Sequence, residues 1–162
     1  YKGEVDEALV IVLKNLETDP LSLELNSLAG DVFYAKENYV EAKKYIEIVL
    51  AEEPDNTKAL EKLASIYILE ADFQSAIDCL EKVLELSPSL TNPKRKLVLL
   101  YFEIGDKNKF LSYLDMLSDE DLYDIYNLFY EDFDPKTLSR DELISRLSEA
   151  RECRILFKNL KY

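Results

Sequence analysis

Asn38-Tyr-Val-Glu-Ala-Lys-Lys-Tyr-Ile-Glu-Ile-Val-Leu-Ala-Glu-Glu-Pro-Asp-Asn56 reads as an amphipathic helix with a proline behind it, and the chain writes it again. At an offset of 34 residues stands Asp72-Phe-Gln-Ser-Ala-Ile-Asp-Cys-Leu-Glu-Lys-Val-Leu-Glu-Leu-Ser-Pro-Ser-Leu90. Tyr39 meets Phe73, Ala42 meets Ala76, Ile46 meets Leu80, Val49 meets Val83, Leu50 meets Leu84 and Pro54 meets Pro88. Moving back by the same interval puts Val5, Ala8, Val12, Leu16 and Pro20 on these positions. Three proline-terminated helices at one spacing are a repeat.

The stretches between them match as well. Ala29-Gly30 and Leu63-Ala64 are each followed three residues on by an aromatic, Phe33 and Tyr67. These lie in helical segments expected at about 22–36 and 57–70. The small residue lets one helix backbone approach its neighbour, and the aromatic fills the space between pairs. This 34-residue unit resembles the tetratricopeptide repeat: two antiparallel helices, a small residue and an aromatic in the first, alanine early in the second, proline after it.

The resemblance implies an all-α fold, a right-handed α-solenoid of stacked helix pairs, with the first helix of each pair lining a concave face. It covers roughly residues 1–117. Residues 1–22 read as the second helix of a truncated repeat, 23–56 and 57–90 as full repeats, and 91–117 as a degenerate one. Tryptophan, frequent early in the first helix of the family, is replaced by Asn26, Leu60 and Lys94. The last unit keeps Leu97, Tyr101 and Gly105-Asp106, but has Phe110 at the alanine position and Leu122 at the proline position. Such drift suits an end unit with a different neighbour.

Both ends depart from the repeat. Tyr1 falls near the end of a first-type helix, which raises the expectation of a longer protein with at least one more repeat upstream. Helix 4–17 is then expected to show part of Val5, Leu9, Val12 and Leu16 to solvent, a surface that invites association. Residues 118–162 form an extension. Ser118 before Asp119, Glu120 and Asp121 starts a helix to about Tyr130. A loop with Pro135 follows, and the capping box Ser139-Arg-Asp-Glu142 opens a helix to about Leu160. Its stripe of Leu143, Leu147, Ala150, Cys153, Phe157 and Leu160 is one apolar face, expected either to cap the repeat array or to dock a partner or a second copy.

The 162 residues are rich in Ala, Leu, Glu and Lys, contain only three glycines, and carry a net charge of −13. Such a field opposes nucleic acid and anionic lipid as partners. No apolar run approaches the length of a membrane span and no signal peptide is visible, which leans towards the cytoplasm but leaves the compartment open. Cys79 and Cys153 make no disulfide framework. The Asp132-Phe-Asp134-Pro-Lys136 loop lacks the glycine and closing glutamate of an EF-hand, so no metal is expected there. With no histidine, no phosphate-binding glycine loop and no motif around either cysteine, neither an enzyme nor a cofactor is expected.

The resemblance also implies which residues face a ligand: the second, fifth, ninth, twelfth and thirteenth of each unit. Here they are Glu24, Ser27, Asp31, Tyr34 and Ala35, then Lys58, Glu61, Ser65, Ile68 and Leu69, then Asn92, Arg95, Leu99, Phe102 and Glu103. Family members that clamp a peptide's terminal carboxylate use Lys at the fifth place and Asn at the ninth. Ser27 and Asp31, then Glu61 and Ser65, do not reproduce that clamp, and a carboxylate facing Asp31 and Glu61 would be repelled. The expectation is a scaffold that holds a polypeptide segment on an apolar floor of Tyr34, Ile68, Leu99 and Phe102. That floor is acidic at its start and basic at Lys94, Arg95 and Lys96. The alternative is a self-assembling element that contacts copies through its ends.

Overall fold

A computed structural model describes residues 2–130 and 134–150, with side chains described from Asp6 onward. Among the described residues every regular element is helical. In chain order they are α1 (Lys2–Leu16), α2 (Leu23–Ala35), α3 (Tyr39–Glu52), α4 (Thr57–Leu69), α5 (Phe73–Leu86), α6 (Thr91–Glu103), α7 (Lys107–Asp115), α8 (Asp119–Phe129), a 3-10 turn (Pro135–Thr137) and α9 (Arg140–Ser148).

The period seen in the sequence is written into the helix ends. First-type helices begin at residues 23, 57 and 91, and second-type helices at 39, 73 and 107. Asn38, Asp72 and Asp106 each accept a hydrogen bond from the backbone N–H three residues on, satisfying a donor the helix start leaves open. The turn before each cap is left-handed: Glu37 and Ala71 have φ of 59° and Gly105 has 78°. Only the third copy carries the residue that this backbone favours.

Ala71→Gly should therefore raise stability by about 0.5–1 kcal/mol, read as a higher urea midpoint. Gly105→Ala should lower stability through the backbone alone, because a Cβ there meets nothing within 4 Å.

The chain divides into two compact units, at Ile66/Tyr67. In the first, α1 packs on α2 and α2 on α3. Gly30 makes the α2–α3 approach possible: a Cβ there would stand 3.0 Å from Ile46 Cγ1. Phe33 stacks on Tyr45 with centroids 5.4 Å apart and planes 7° from parallel. Val12, Leu16 and Ala29 form a buried cluster with Leu13, Leu25 and Tyr45 around it.

Of the α1 stripe expected to show in part, Leu9 is half-buried. Val12 and Leu16 face α2 and are buried, while the exposed apolar residues are Val10 and Ile11. The helix turns Val12 and Leu16 to its neighbour, and Val10 and Ile11, out of phase with them, face outward.

The second unit is held by α5 on α6, α6 on α7, and α9 on both α7 and α8. Tyr101 stacks on Tyr113, centroids 5.5 Å apart, as Phe33 does on Tyr45. Both tyrosine hydroxyls donate to Glu81 Oε1, at 2.7 and 3.3 Å, and Lys109 Nζ joins them at 3.1 Å. Burial alone pushes the Glu81 carboxyl up, but hydrogen bonds from Tyr101, Lys109 and Tyr113 outweigh it and hold it below the ordinary 4.5. Its folded value is depressed, so this stabilisation is present above the unfolded value and is lost as pH falls through the folded one. Urea unfolding of wild type and Glu81→Gln should differ at neutral pH and converge below the ordinary carboxylate range.

Phe110, out of pattern by sequence, has a partner in the extension. Phe102 meets Phe129 edge-on at 4.8 Å, and Phe110 lies 5.6 Å from Phe102 and 6.5 Å from Phe129. The alanine position takes a large ring because α8 supplies another ring to cover it.

The helix opened by Ser139 ends at Ser148, with Glu149 as its cap. Leu143 and Leu147 are fully buried. Cys153, Phe157 and Leu160, the second half of the expected stripe, lie outside the described residues, as do Asp132 and its neighbours in the loop.

Candidate peptide-binding surface

Glu24, Ser27, Asp31 and Tyr34 lie on α2 at steps of three and four, so they share one face; Glu61 and Ser65 lie one turn apart on α4. All six belong to the first unit. Glu24 is exposed and the other five are half-buried. Ser22, the α2 cap, donates its hydroxyl to Glu24 Oε2 at 3.4 Å. Tyr34 stands edge-on to Tyr39 at 5.6 Å. Ser65 turns its hydroxyl back to the Glu61 carbonyl, 2.9 Å away.

Asp31 is joined to Lys62 in an ion pair from α2 to α4. Lys62 was not among the residues expected from sequence. It lies 31 residues from Asp31, off the repeat interval, so no periodic signal marks it. The pair ties the two first-type helices together and neutralises Asp31, leaving Glu24 and Glu61 as the source of negative potential on this face.

The positions assigned to the second unit are engaged differently. Ile68 and Leu99 are buried and Leu69 is exposed. Arg95 reaches Asp124 at 3.1 Å and Asp121 at 3.4 Å, both on α8. Phe102 meets Phe129, also from α8. The α6 face expected to offer a basic floor thus carries α8, and Lys96 is buried.

At Asn26, where the family often has tryptophan, the buried amide donates to the carbonyls of Pro20 and Ser22 at 2.9 and 2.8 Å. It fastens the turn into α2. The Cys79 thiol is pushed up to about 11 by burial, with the Asp78 and Asp72 carboxylates adding to the effect. At neutral pH it is a thiol, not a thiolate nucleophile. Among the described residues no helix is long and apolar enough to cross a membrane.

A family model described as tetratricopeptide repeat matches residues 33–89. Among curated proteins, the human RANBP2-like and GRIP domain-containing protein 1 is 33% identical over 95 residues, 56% of this chain. The match spans 5% of that relative's length.

Among solved structures, MamA superposes with a TM-score of 0.71 at 21% identity, covering 89% of this chain and 85% of that one. YrrB, a TPR protein with an unusual peptide-binding site, gives 0.66 at 20% identity, covering 96% and 75%. The first TPR of Spaghetti (RPAP3), bound to the HSP90 peptide SRMEEVD, gives 0.59 at 20% identity, covering 64% and 82%. At these identities the structural likeness speaks for the fold. Together with the 34-residue period it places the chain in the all-α helical-repeat class, and residues 33–89 match the tetratricopeptide repeat.

Proposed function

We propose that the chain is a non-catalytic scaffold that binds a polypeptide segment on the face carrying Glu24, Ser27, Asp31, Tyr34, Glu61 and Ser65. One observation carries the reading. These six residues share the α2 and α4 side of one unit without being buried, whereas Arg95 and Phe102 on α6 are engaged by α8. Neighbours of the same fold are described with a bound peptide or a peptide-binding site, which supports a peptide as the ligand class.

Tyr34 supplies the apolar anchor, and Glu24 and Glu61 favour a segment with Lys or Arg at the facing end. Exposed pairs of this kind contribute about 0–1 kcal/mol each, so charge governs the rate of encounter and the anchors govern retention.

Peptides selected from a random display library on the intact chain should be basic at one end. Tyr34→Ala should weaken them by about tenfold or more, a loss of ~1.4 kcal/mol. Raising salt should slow association and leave dissociation nearly unchanged. The acidic peptide SRMEEVD should not bind. Selected peptides indifferent to Tyr34→Ala, or firm binding of SRMEEVD, would count against this reading.

A further inference from the structure

Asp31 stands in the middle of the α2 face, one turn from Ser27 and one from Tyr34. A segment anchored on Tyr34 and running towards Glu24 passes over it. Its carboxylate already has a cation, the ammonium of Lys62 on α4. The Asp31 and Lys62 side chains remain 44% and 35% exposed, so the pair is open to whatever lies on the face.

The charges of the two helices show what this pairing does. α2 and α4 carry three carboxylates, Glu24, Asp31 and Glu61, and two ammonium groups, Lys58 and Lys62. Glu24 and Glu61 lie in the first two turns of their helices, and Asp31 lies beyond them. A Lys or Arg arriving over Asp31 meets an oxygen that is already paired and a like charge beside it. Repulsive elements of this kind make specificity as much as attractive ones do. A half-exposed pair contributes little to stability, so its consequence falls on the ligand.

We propose, on the peptide-binding reading above, that Lys62 determines the specificity of this face. By occupying Asp31 it excludes basic side chains from the middle of the bound segment and confines them to the end facing Glu24 and Glu61. The residue lying over the Asp31–Lys62 pair is then uncharged. Without the Lys62 ammonium, Asp31 becomes a further site for a cation, and the preferred segment gains a Lys or Arg.

The test is selection from one random peptide display library on the intact chain and its variants. Lys62→Met keeps the apolar stem of lysine without its charge. Peptides taken by Lys62→Met should carry one more basic residue than those taken by wild type. They should leave Lys62→Met about two- to fivefold more slowly than they leave wild type, the range of one exposed ion pair. Lys62→Gln should behave in the same way, and Lys62→Arg, which keeps the pair, should select as wild type does. Lys58→Met removes the same charge from the same helix, and should quicken association without adding the basic residue. In Lys62→Met/Asp31→Asn the added residue should be lost. The proposal is overturned if Lys62→Met and Lys62→Gln select the wild-type sequences, if Lys58→Met gains the basic residue equally, or if the gain survives Asp31→Asn. Tyr34→Ala distinguishes the two failures. Where peptides depend on Tyr34 but not on Lys62, the face stands and the role of Lys62 falls; where they are indifferent to Tyr34, both fall.

Discussion

Leu143→Ala in α9 should lower the stability of the chain by about 2–5 kcal/mol, seen as a large drop in the urea midpoint. Leu143 is completely buried, so truncation leaves a cavity that only partial relaxation can fill. Arg140→Ala should be felt through a second route. The Arg140 guanidinium donates to the carbonyls of Asp115 and Leu117, both at 2.9 Å, and of Leu114 at 3.4 Å, while pairing with Asp119 at 2.7 Å. It closes the carbonyl end of α7 from the first position of α9. Its loss should cost about 1–3 kcal/mol because those acceptors lose a charged donor. Midpoints close to wild type in both variants would mean that α9 rests on the repeats rather than completing them.

Phe129→Ala should cost about 3–5 kcal/mol. Phe129 is buried and faces both Phe102 and Phe110, so its removal takes away the ring that lets α7 carry phenylalanine at an alanine position. Aromatic pairing adds about 0.5–1.5 kcal/mol to the area buried. Phe129→Leu, which keeps volume but not the edge-on ring, should lose less. If α8 merely covered a binding face and could leave it, Phe129→Ala would uncover that face with little loss of stability. The full burial of Leu122, Ile125 and Tyr126 in the same helix favours the large loss.

What the sequence made legible was whatever repeats. The prolines, the alanines Ala42 and Ala76 and the aromatics Phe33, Tyr67 and Tyr101 fix a period, and the helix starts follow it. The extension was readable at its caps, Ser118 and Ser139, because capping is a local matter of one side chain and a backbone N–H three residues on. Contacts off the repeat interval were not readable. Arg95 with Asp121 and Asp124, Asp31 with Lys62, and Phe110 with Phe129 each join residues off the repeat interval, where no neighbouring copy supplies a precedent. Phe110 alone left a trace, as a departure from alanine whose partner lay in the extension.

The face of α1 shows the same limit at smaller scale. A helical stripe such as Leu9, Val12 and Leu16 announces which side is apolar, and the neighbour takes Val12 and Leu16. Val10 and Ile11, apolar but out of phase with it, are then left outward. The candidate binding positions had the opposite difficulty. The resemblance assigned them unit by unit, but only packing distinguishes a half-exposed Tyr34 from a buried Leu99.

Amide NMR of the labelled chain, titrated with a peptide selected as above, tests the central claim most directly. Perturbed resonances should gather at Glu24, Ser27, Asp31, Tyr34, Glu61 and Ser65, and the Tyr34→Ala chain should require far more peptide to reach them. Perturbations confined to α7, α8 and α9, or a titration that Tyr34→Ala leaves unchanged, would contradict the assignment of this face as the one that holds a polypeptide.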